Sequence, residues 1–209
     1  MSASIVAARL LDLREELGRL RSAGVDGIHV DIEDAVFVPA MGLGLRVLDA
    51  VAEWGGLPID VHLMVSDPER VLTLMGDAPV AAVAVHLEST PYPRRVLAMV
   101  RESGRRAGLA LNPATPVPEL GVLTDHLDYL LMLTTEPEIS DPAFLEGRLP
   151  AIRELAEGSG IPVIVDGGVT PDLAPRIAEA GASGVVVGRA LFGEGDPADA
   201  VRRILGRVA

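Results

Sequence analysis

The chain has 209 residues, of which 49% are hydrophobic, and its mean hydropathy is +0.35, which is enough apolar surface for a large core. This length suits one domain, and we expect a single domain over residues 1–209. With 30 acidic and 18 basic residues the formal net charge is -12, and no run of Lys or Arg occurs. We therefore expect neither nucleic acid nor an anionic membrane as a partner.

The chain contains no cysteine. This excludes disulfides, a thiolate nucleophile and a zinc site built on cysteine, so any metal would depend on His and carboxylate ligands. The first 13 residues carry too short an apolar run, interrupted by Arg9, for a signal peptide. No stretch approaches the ~18 apolar residues of a membrane span. We expect a cytoplasmic protein.

Short apolar runs alternate with amphipathic segments along the whole chain. The runs that we predict as strands cover residues 4–8, 28–34, 58–64, 80–86, 107–112, 127–133, 161–166 and 184–188. The predicted helices cover residues 10–22, 45–54, 93–103, 119–123 and 141–157, and others begin at Asp67, near Thr170 and at Asp196.

These eight strand-helix units have a roughly equal period and no linker divides them, which predicts an α/β protein that is a single (β/α)8 TIM barrel. The alternative is an open, doubly wound sheet. We rank it lower because no Gly-x-Gly-x-x-Gly turn follows the first strand.

The second strand places His29, Asp31 and Glu33 on one face, because side chains alternate along a strand. On an ordinary half-buried strand this face would only meet water. In a barrel, however, the active site lies at the carboxyl ends of the strands. The residues of interest at those ends are Asp31, Glu33, His62, Met64, His86, Asn112 and Asp166.

Two imidazoles and two carboxylates in one barrel mouth could bind Zn²⁺, Mn²⁺ or Fe²⁺, and the predicted ligands are His29, Asp31, His62 and Asp166. A single buried His is more often a hydrogen-bonded structural residue, but a carboxylate at an apolar strand end is costly unless it is paired or metal-bound. We interpret His86 as lining the pocket and Met64 as packing in the core or against a ligand.

Glycines follow the last two strands, where barrels often bind phosphate. Gly167, Gly168 and Gly188 could let backbone N–H groups approach an anion, and Arg189 could hold a phosphate or carboxylate. The simpler explanations are a tight turn for the glycines and a surface position for the arginine.

Taken in order, several segments resemble the ribulose-phosphate 3-epimerase family. They are His29-Val30-Asp31 with Phe37-Val38-Pro39, Asp60-Val61-His62-Leu63-Met64, Leu111-Asn112-Pro113-Ala114-Thr115-Pro116, Val165-Asp166-Gly167-Gly168-Val169, and Val187-Gly188 with Ala190-Leu191-Phe192. The resemblance implies that His29, Asp31, His62 and Asp166 bind a divalent metal. It also implies that the two aspartates exchange the proton on opposite faces of the carbon next to a ketone.

This chemistry is physically consistent. A metal that bridges the ketone and hydroxyl oxygens stabilises an enediolate, and inversion needs one carboxylate on each face. We therefore predict a metal-dependent, epimerase-like isomerase of carbohydrate metabolism that acts on a ketose or ketose phosphate.

Several positions differ from the family pattern. The family has serine and aspartate where this chain has Ala7 and Arg9, methionines at Glu33 and Leu133, a glycine-rich loop at residues 136–141 and a serine at Arg189. These differences predict a substrate pocket that has diverged from that for ribulose 5-phosphate. Glu33 could bind a substrate hydroxyl or amine, serve as an extra base or join the metal; its simplest role is an ion pair with Arg9.

Two other functions stay open at this point. One is an aldolase or isomerase that uses the same enediolate; the other is a non-catalytic barrel that binds a metal or an anion or serves as a partner subunit. Exposed barrel helices and the family resemblance also predict a homo-oligomer.

Overall fold

A computed structural model describes residues 1–137, 143–192 and 196–206. Eight parallel strands form a closed barrel in which each strand pairs with the next and the last pairs with the first. The strands are β1 Ser2–Ser4, β2 Gly27–Glu33, β3 Ile59–Met64, β4 Ala82–His86, β5 Arg106–Leu111, β6 Tyr129–Leu133, β7 Val163–Asp166 and β8 Gly184–Val187. The predicted (β/α)8 TIM barrel is confirmed.

Helices cover the outside of the barrel. They are α1 Leu13–Ala23, α2 Leu45–Trp54, α3 Pro68–Met75, α4 Pro93–Glu102, α5 Leu149–Ser159, α6 Ala174–Glu179, α7 Arg189–Phe192 and α8 Pro197–Ile204. The connection between β5 and β6 carries a 3₁₀ helix, Gly121–His126, instead of an α-helix. None of the helices among the described residues is long and apolar enough to cross a membrane.

The predicted first strand was wrong in position. The strand ends at Ser4, and the apolar residues Ile5–Ala7 form a 3₁₀ helix whose first turn the Ser4 hydroxyl caps by accepting the Val6 N–H. A short apolar run is equally compatible with either structure, and here the cap and the pairing of β1 with β2 decide it.

The predicted helix caps had mixed outcomes. Asp67 and Asp196 accept N–H bonds at the starts of α3 and α8, as predicted. Thr170 does not cap α6; its carbonyl accepts the Leu173 and Ala174 N–H groups, and this turn delays the helix to Ala174. The predicted helix start at Asp141 lies outside the described residues, and α5 begins at Leu149.

Two layers of packing follow from the alternation along the strands. On β2, Ile28, Val30 and Ile32 join the main apolar cluster between the strands and the helices. Their neighbours His29, Asp31 and Glu33 point into the barrel, and all seven residues of β2 are buried. The polar side chains of this strand therefore lie in the interior of the barrel and not in bulk water.

Candidate active site

Four side chains from three strands converge inside the carboxyl end of the barrel: His29 and Asp31 on β2, His62 on β3 and Asp166 on β7. The β2–β3 register places Asp31 beside His62. Asp31 Oδ1 lies 3.2 Å from His29 Nε2 and 3.1 Å from His62 Nδ1. Asp166 Oδ2 lies 3.7 Å from each of these nitrogens. One donor atom from each residue lies within 4.8 Å of all the others.

A second ring of hydrogen bonds orients this cluster. Asp60 Oδ2 lies 2.5 Å from His29 Nδ1, and the Ser2 hydroxyl donates to the other Asp60 oxygen. The Ser4 hydroxyl donates to Asp31 Oδ2 at 2.8 Å. Sequence reasoning missed Asp60 and Ser4 as site residues. Asp60 could have been found, because it lies two residues before His62 on a strand and so points the same way.

His62 contacts a further pair of polar side chains on its far side. Its Nε2 lies 2.8 Å from His86 Nε2, and His86 Nδ1 lies 3.1 Å from Glu88 Oε2. The ring of Phe37 covers His86, with 4.7 Å between the ring centroids. Glu88 was also missed in the sequence.

Burial and neighbouring charges separate the two aspartates. Burial opposes ionisation of Asp31, but the charge and hydrogen bond of His29 and the hydrogen bond of His62 hold its pKa well below the usual range. Burial raises the pKa of Asp166, and the negative charge of Asp31 adds to that rise. One carboxylate is thus held ionised, while the pKa of the other is raised to about 7, a division of roles that suits acid–base chemistry.

The donor set of this cluster fits a divalent metal. It offers two imidazole nitrogens and two carboxylates, three of the four residues are buried, and Asp60 fixes the orientation of His29. Burial, together with the neighbouring His86 and His29, lowers the pKa of His62 to about 4, so its imidazole is neutral at pH 7, as a metal ligand must be. Burial opposes the charge on His29, but Asp31 and Asp60 raise its pKa well above the usual range, so a metal would have to displace a proton from His29. The cluster could therefore hold a metal ion.

A cavity of about 330 Å³ opens above the cluster. Eight of the residues predicted from the sequence line it: Asp31, Glu33, Met64, Asp166, Gly167, Gly168, Gly188 and Arg189. His86 and Asn112 are not among its lining residues. His86 lies behind His62, and the Asn112 backbone N–H donates to Glu88.

The glycines of the cavity differ in what surrounds them. Gly167 and Gly168 have φ values of 109° and 67°, and a Cβ at either would collide with Thr135 or Phe144. Both are therefore required by a tight turn and close packing. A Cβ at Gly188 would meet only Ser4, at an ordinary 3.8 Å, so local packing does not explain this glycine.

The ion pair with Arg9, the simplest of the roles considered for Glu33, does not form. Arg9 is exposed, and its guanidinium is 3.1 Å from Glu16 and 3.4 Å from Asp12. Glu33 is buried, and its carboxylate lies so close to Gly42 that a Cβ there would overlap it. This acid is therefore built into the cavity wall beneath the loop that follows β2.

The whole chain is similar in sequence to one family of known enzymes. The model of the ribulose-phosphate 3 epimerase family matches residues 1–192. Ribulose-phosphate 3-epimerase of Bacillus subtilis is 35% identical over 97% of this chain and 96% of its own length. The chloroplastic ribulose-5-phosphate-3-epimerase of Arabidopsis thaliana is 37% identical over 98% of this chain and 75% of its own.

Solved structures share the architecture at lower identity. A 3-hexulose-6-phosphate synthase superimposes with a TM-score of 0.70 and 18% identity over 100% of this chain and 99% of that one. For a 3-keto-L-gulonate-6-phosphate decarboxylase from Vibrio cholerae the TM-score is 0.76, with 12% identity over 99% and 95% of the two chains. At these identities the likeness concerns the fold alone.

Proposed function

The chain belongs to the ribulose-phosphate 3-epimerase family of isomerases, and on that premise we propose that it inverts the carbon next to the ketone of a ketose phosphate. Ribulose 5-phosphate is the first candidate substrate, since the relatives are named for it. The observation that carries this proposal is the pair of carboxylates, Asp31 and Asp166, which reach one cavity from β2 and β7.

The two carboxylates have the properties that an inversion needs. Asp31, held ionised, takes the proton from the substrate carbon on one face, and Asp166, whose pKa is raised to about 7, returns a proton on the other. In the reverse direction the roles exchange. The hydroxyl of Ser4 donates to Asp31 Oδ2 and holds the carboxylate in place, while Asp31 Oδ1 faces the histidines.

The residues that would hold a divalent ion, which we propose to be Zn²⁺, Mn²⁺ or Fe²⁺, are His29, Asp31, His62 and Asp166. When bound, such an ion supplies Lewis-acid stabilisation of the enediolate that forms after proton removal. The ring orientation of each histidine is set by its other nitrogen, because His29 Nδ1 lies 2.5 Å from Asp60 Oδ2 and His62 Nε2 lies 2.8 Å from His86 Nε2.

The phosphate of the substrate is proposed to bind beside Gly167, Gly168, Gly188 and Arg189. This is supported by their shared position on the cavity wall and by the free space at Gly188, which lets an anion approach the backbone. Glu33 and Met64 line the same cavity, and we assign Glu33 to a substrate hydroxyl, since a second anion near a buried carboxylate would be repelled.

We also propose that the chain is one domain that works as a homo-oligomer. Large apolar side chains are exposed in the loops that follow β1 and β2, close to the mouth of the barrel; they are Val6, Leu10, Leu11, Val36 and Met41. Such a surface is commonly covered by a partner.

The test is proton NMR in D₂O with metal-loaded protein and ribulose 5-phosphate, with unphosphorylated ribulose in parallel. We expect deuterium to enter at C3 as the C3 epimer appears, and the unphosphorylated sugar to react at least 10²-fold more slowly, because it lacks the anchoring anion. Removal of the metal with a chelator should abolish exchange, and re-addition should restore it.

The other enediolate functions give different products in the same spectra. An aldolase would release two shorter sugars, and an isomerase that moves the carbonyl would place deuterium at C1 or C2. A failure to exchange any proton, with metal bound and each sugar tested, would contradict the proposal and favour a non-catalytic binding barrel.

A further inference from the structure

A row of three side chains leads away from the proposed metal cluster, from His62 on β3 to His86 at the end of β4 and Glu88 just after it. It passes from His62 Nε2 to His86 Nε2 at 2.8 Å, and from His86 Nδ1 to Glu88 Oε2 at 3.1 Å. His62 and His86 have no exposed surface, and neither His86 nor Glu88 lines the cavity. The row therefore needs an explanation other than contact with substrate.

The outer end of the row has a fixed hydrogen-bond direction. Glu88 Oε1 accepts the backbone N–H of Asn112 at 2.8 Å and the hydroxyl of Thr115, while Oε2 faces His86. Burial disfavours the charged form, but the bonds from His86, Thr115 and Asn112 lower the pKa of Glu88 to about 2. An ionised carboxylate only accepts hydrogen bonds, so His86 must donate from Nδ1.

The direction of hydrogen-bond donation at Glu88 determines the direction at both imidazole rings, first His86 and then His62. In the neutral form of the His86 ring, a proton on Nδ1 leaves a lone pair on Nε2. His62 must then donate from Nε2, which leaves a lone pair on His62 Nδ1. That nitrogen faces Asp31 at 3.1 Å and Asp166 at 3.7 Å. Without a metal, the ionised Asp31 favours a proton on this same nitrogen, so Glu88 and Asp31 act on His62 in opposite directions. A bound metal relieves this conflict, because it takes the lone pair that Glu88 favours.

We propose that Glu88, acting through His86, is a positioning residue that favours the tautomer of His62 whose Nδ1 is free to bind a divalent metal. The inference rests on the proposed function only in taking the four-residue cluster as a metal site. It adds a specific role for two residues that touch neither metal nor substrate.

The substitution Glu88→Gln tests the direction of the row while keeping its shape. Gln has one acceptor oxygen, and the two donors at the Oε1 position, Asn112 and Thr115, select it. The amide NH₂ then faces His86, which has to accept at Nδ1 and donate from Nε2, and His62 is driven to carry its proton on Nδ1. A protonated nitrogen cannot ligate a metal, so we expect Mn²⁺ or Zn²⁺ affinity to fall about 10–100-fold.

Two matched variants separate this role from a structural one. Glu88→Ala removes the acceptor without imposing the opposite direction, so its loss of metal affinity should be smaller than that of Glu88→Gln, although Ala is the larger structural change. Thr115→Val removes one donor to Oε1 and leaves the bond from Glu88 to His86, and its affinity should stay within about twofold of the wild type.

Metal affinity is measured by titration without substrate, and long-range ¹H–¹⁵N NMR of the four histidines reports the tautomers directly. In the metal-free proteins, we expect the fraction of His62 that carries its proton on Nδ1 to be larger in Glu88→Gln than in the wild type. Unchanged tautomers, unchanged affinity in Glu88→Gln, or a larger loss in Glu88→Ala would each overturn the inference. Absence of metal binding by the wild type would instead contradict the proposed metal site itself.

Discussion

Tyr129 shows how one residue can determine what its neighbours must be. Its ring points from β6 into the lower barrel, where it packs with the small side chains of Ala82, Ala84 and Ala110. Gly108 lies opposite Tyr129 on β5, and a Cβ at Gly108 would overlap the tyrosine ring. The tyrosine ring thus fits in the barrel because Gly108 has no side chain.

Gly108→Ala should therefore destabilise the protein by about 1–3 kcal/mol through overpacking. The double variant with Tyr129→Leu should recover a large part of that loss, because the clashing ring is gone. Urea unfolding of the wild type, both single variants and the double variant gives the coupling energy. An equal cost of Gly108→Ala in both backgrounds would contradict the explanation.

Residues at the strand ends were predictable, whereas their supporting partners were not. His29, Asp31, His62 and Asp166 stand out because an ionisable group ends an apolar run. Asp60 carries a weaker signal, its spacing of two residues from His62, and the strand register is what places it beside His29. Ser4 and Glu88 acquire their roles only from contacts between distant segments, so in the sequence Glu88 is indistinguishable from an ordinary surface acid.

At the scale of elements, Asp34 joins the loops that follow β2 and β3. Its carboxylate accepts the backbone N–H groups of Val36 and Phe37 and both the N–H and hydroxyl of Ser66, all within 2.8 Å. Slight burial acts in the opposite direction, but the hydrogen bonds from Ser66, Phe37 and Val36 lower the pKa of Asp34 to about 2. The joint also holds Phe37 against His86.

The pH dependence of stability should show how much the ionised Asp34 strengthens this link between the two loops. A carboxylate with a depressed native pKa stabilises the fold above its unfolded value of about 3.9 and loses that contribution as the pH falls through about 2. Asp34→Asn should cost about 1 kcal/mol at pH 7, after allowance for solvent screening.

Unfolding midpoints at pH 7 and along the approach to pH 2 provide the measurement. The difference in unfolding midpoint between the wild type and Asp34→Asn should become smaller as the pH falls through that range. A difference that stays constant would show that the charge on Asp34 does not strengthen the link between the two loops.

The order of the elements could be predicted better than their ends. Repeated apolar runs and the Asp-Pro caps of α3 and α8 located those segments, because each signal is local. The first strand and the start of α6 were misplaced, because competing hydrogen bonds of Ser4 and Thr170 decide them. The 3₁₀ helix between β5 and β6 was anticipated only as a short helical segment among prolines.

At the scale of the whole molecule, closure of the barrel creates the site. Asp31 and Asp166 are far apart in the chain, and they meet because β7, β8, β1 and β2 are consecutive around the barrel. Closure also gives the two carboxylates different surroundings, since Asp31 lies within hydrogen-bond distance of both histidines, which lowers its pKa, whereas burial raises the pKa of Asp166. A two-base inversion is the chemistry that such an unequal pair supports.

The most direct test of this account compares Asp31→Asn and Asp166→Asn with metal content measured for each variant. Proton NMR in D₂O should start separately from ribulose 5-phosphate and from its C3 epimer. Each variant should lose epimerisation by at least about 10²–10⁴-fold, because one of the two bases is missing. Residual exchange without inversion should affect one epimer in Asp31→Asn and the other in Asp166→Asn. Epimerisation at the wild-type rate by either metal-loaded variant would contradict the two-carboxylate mechanism.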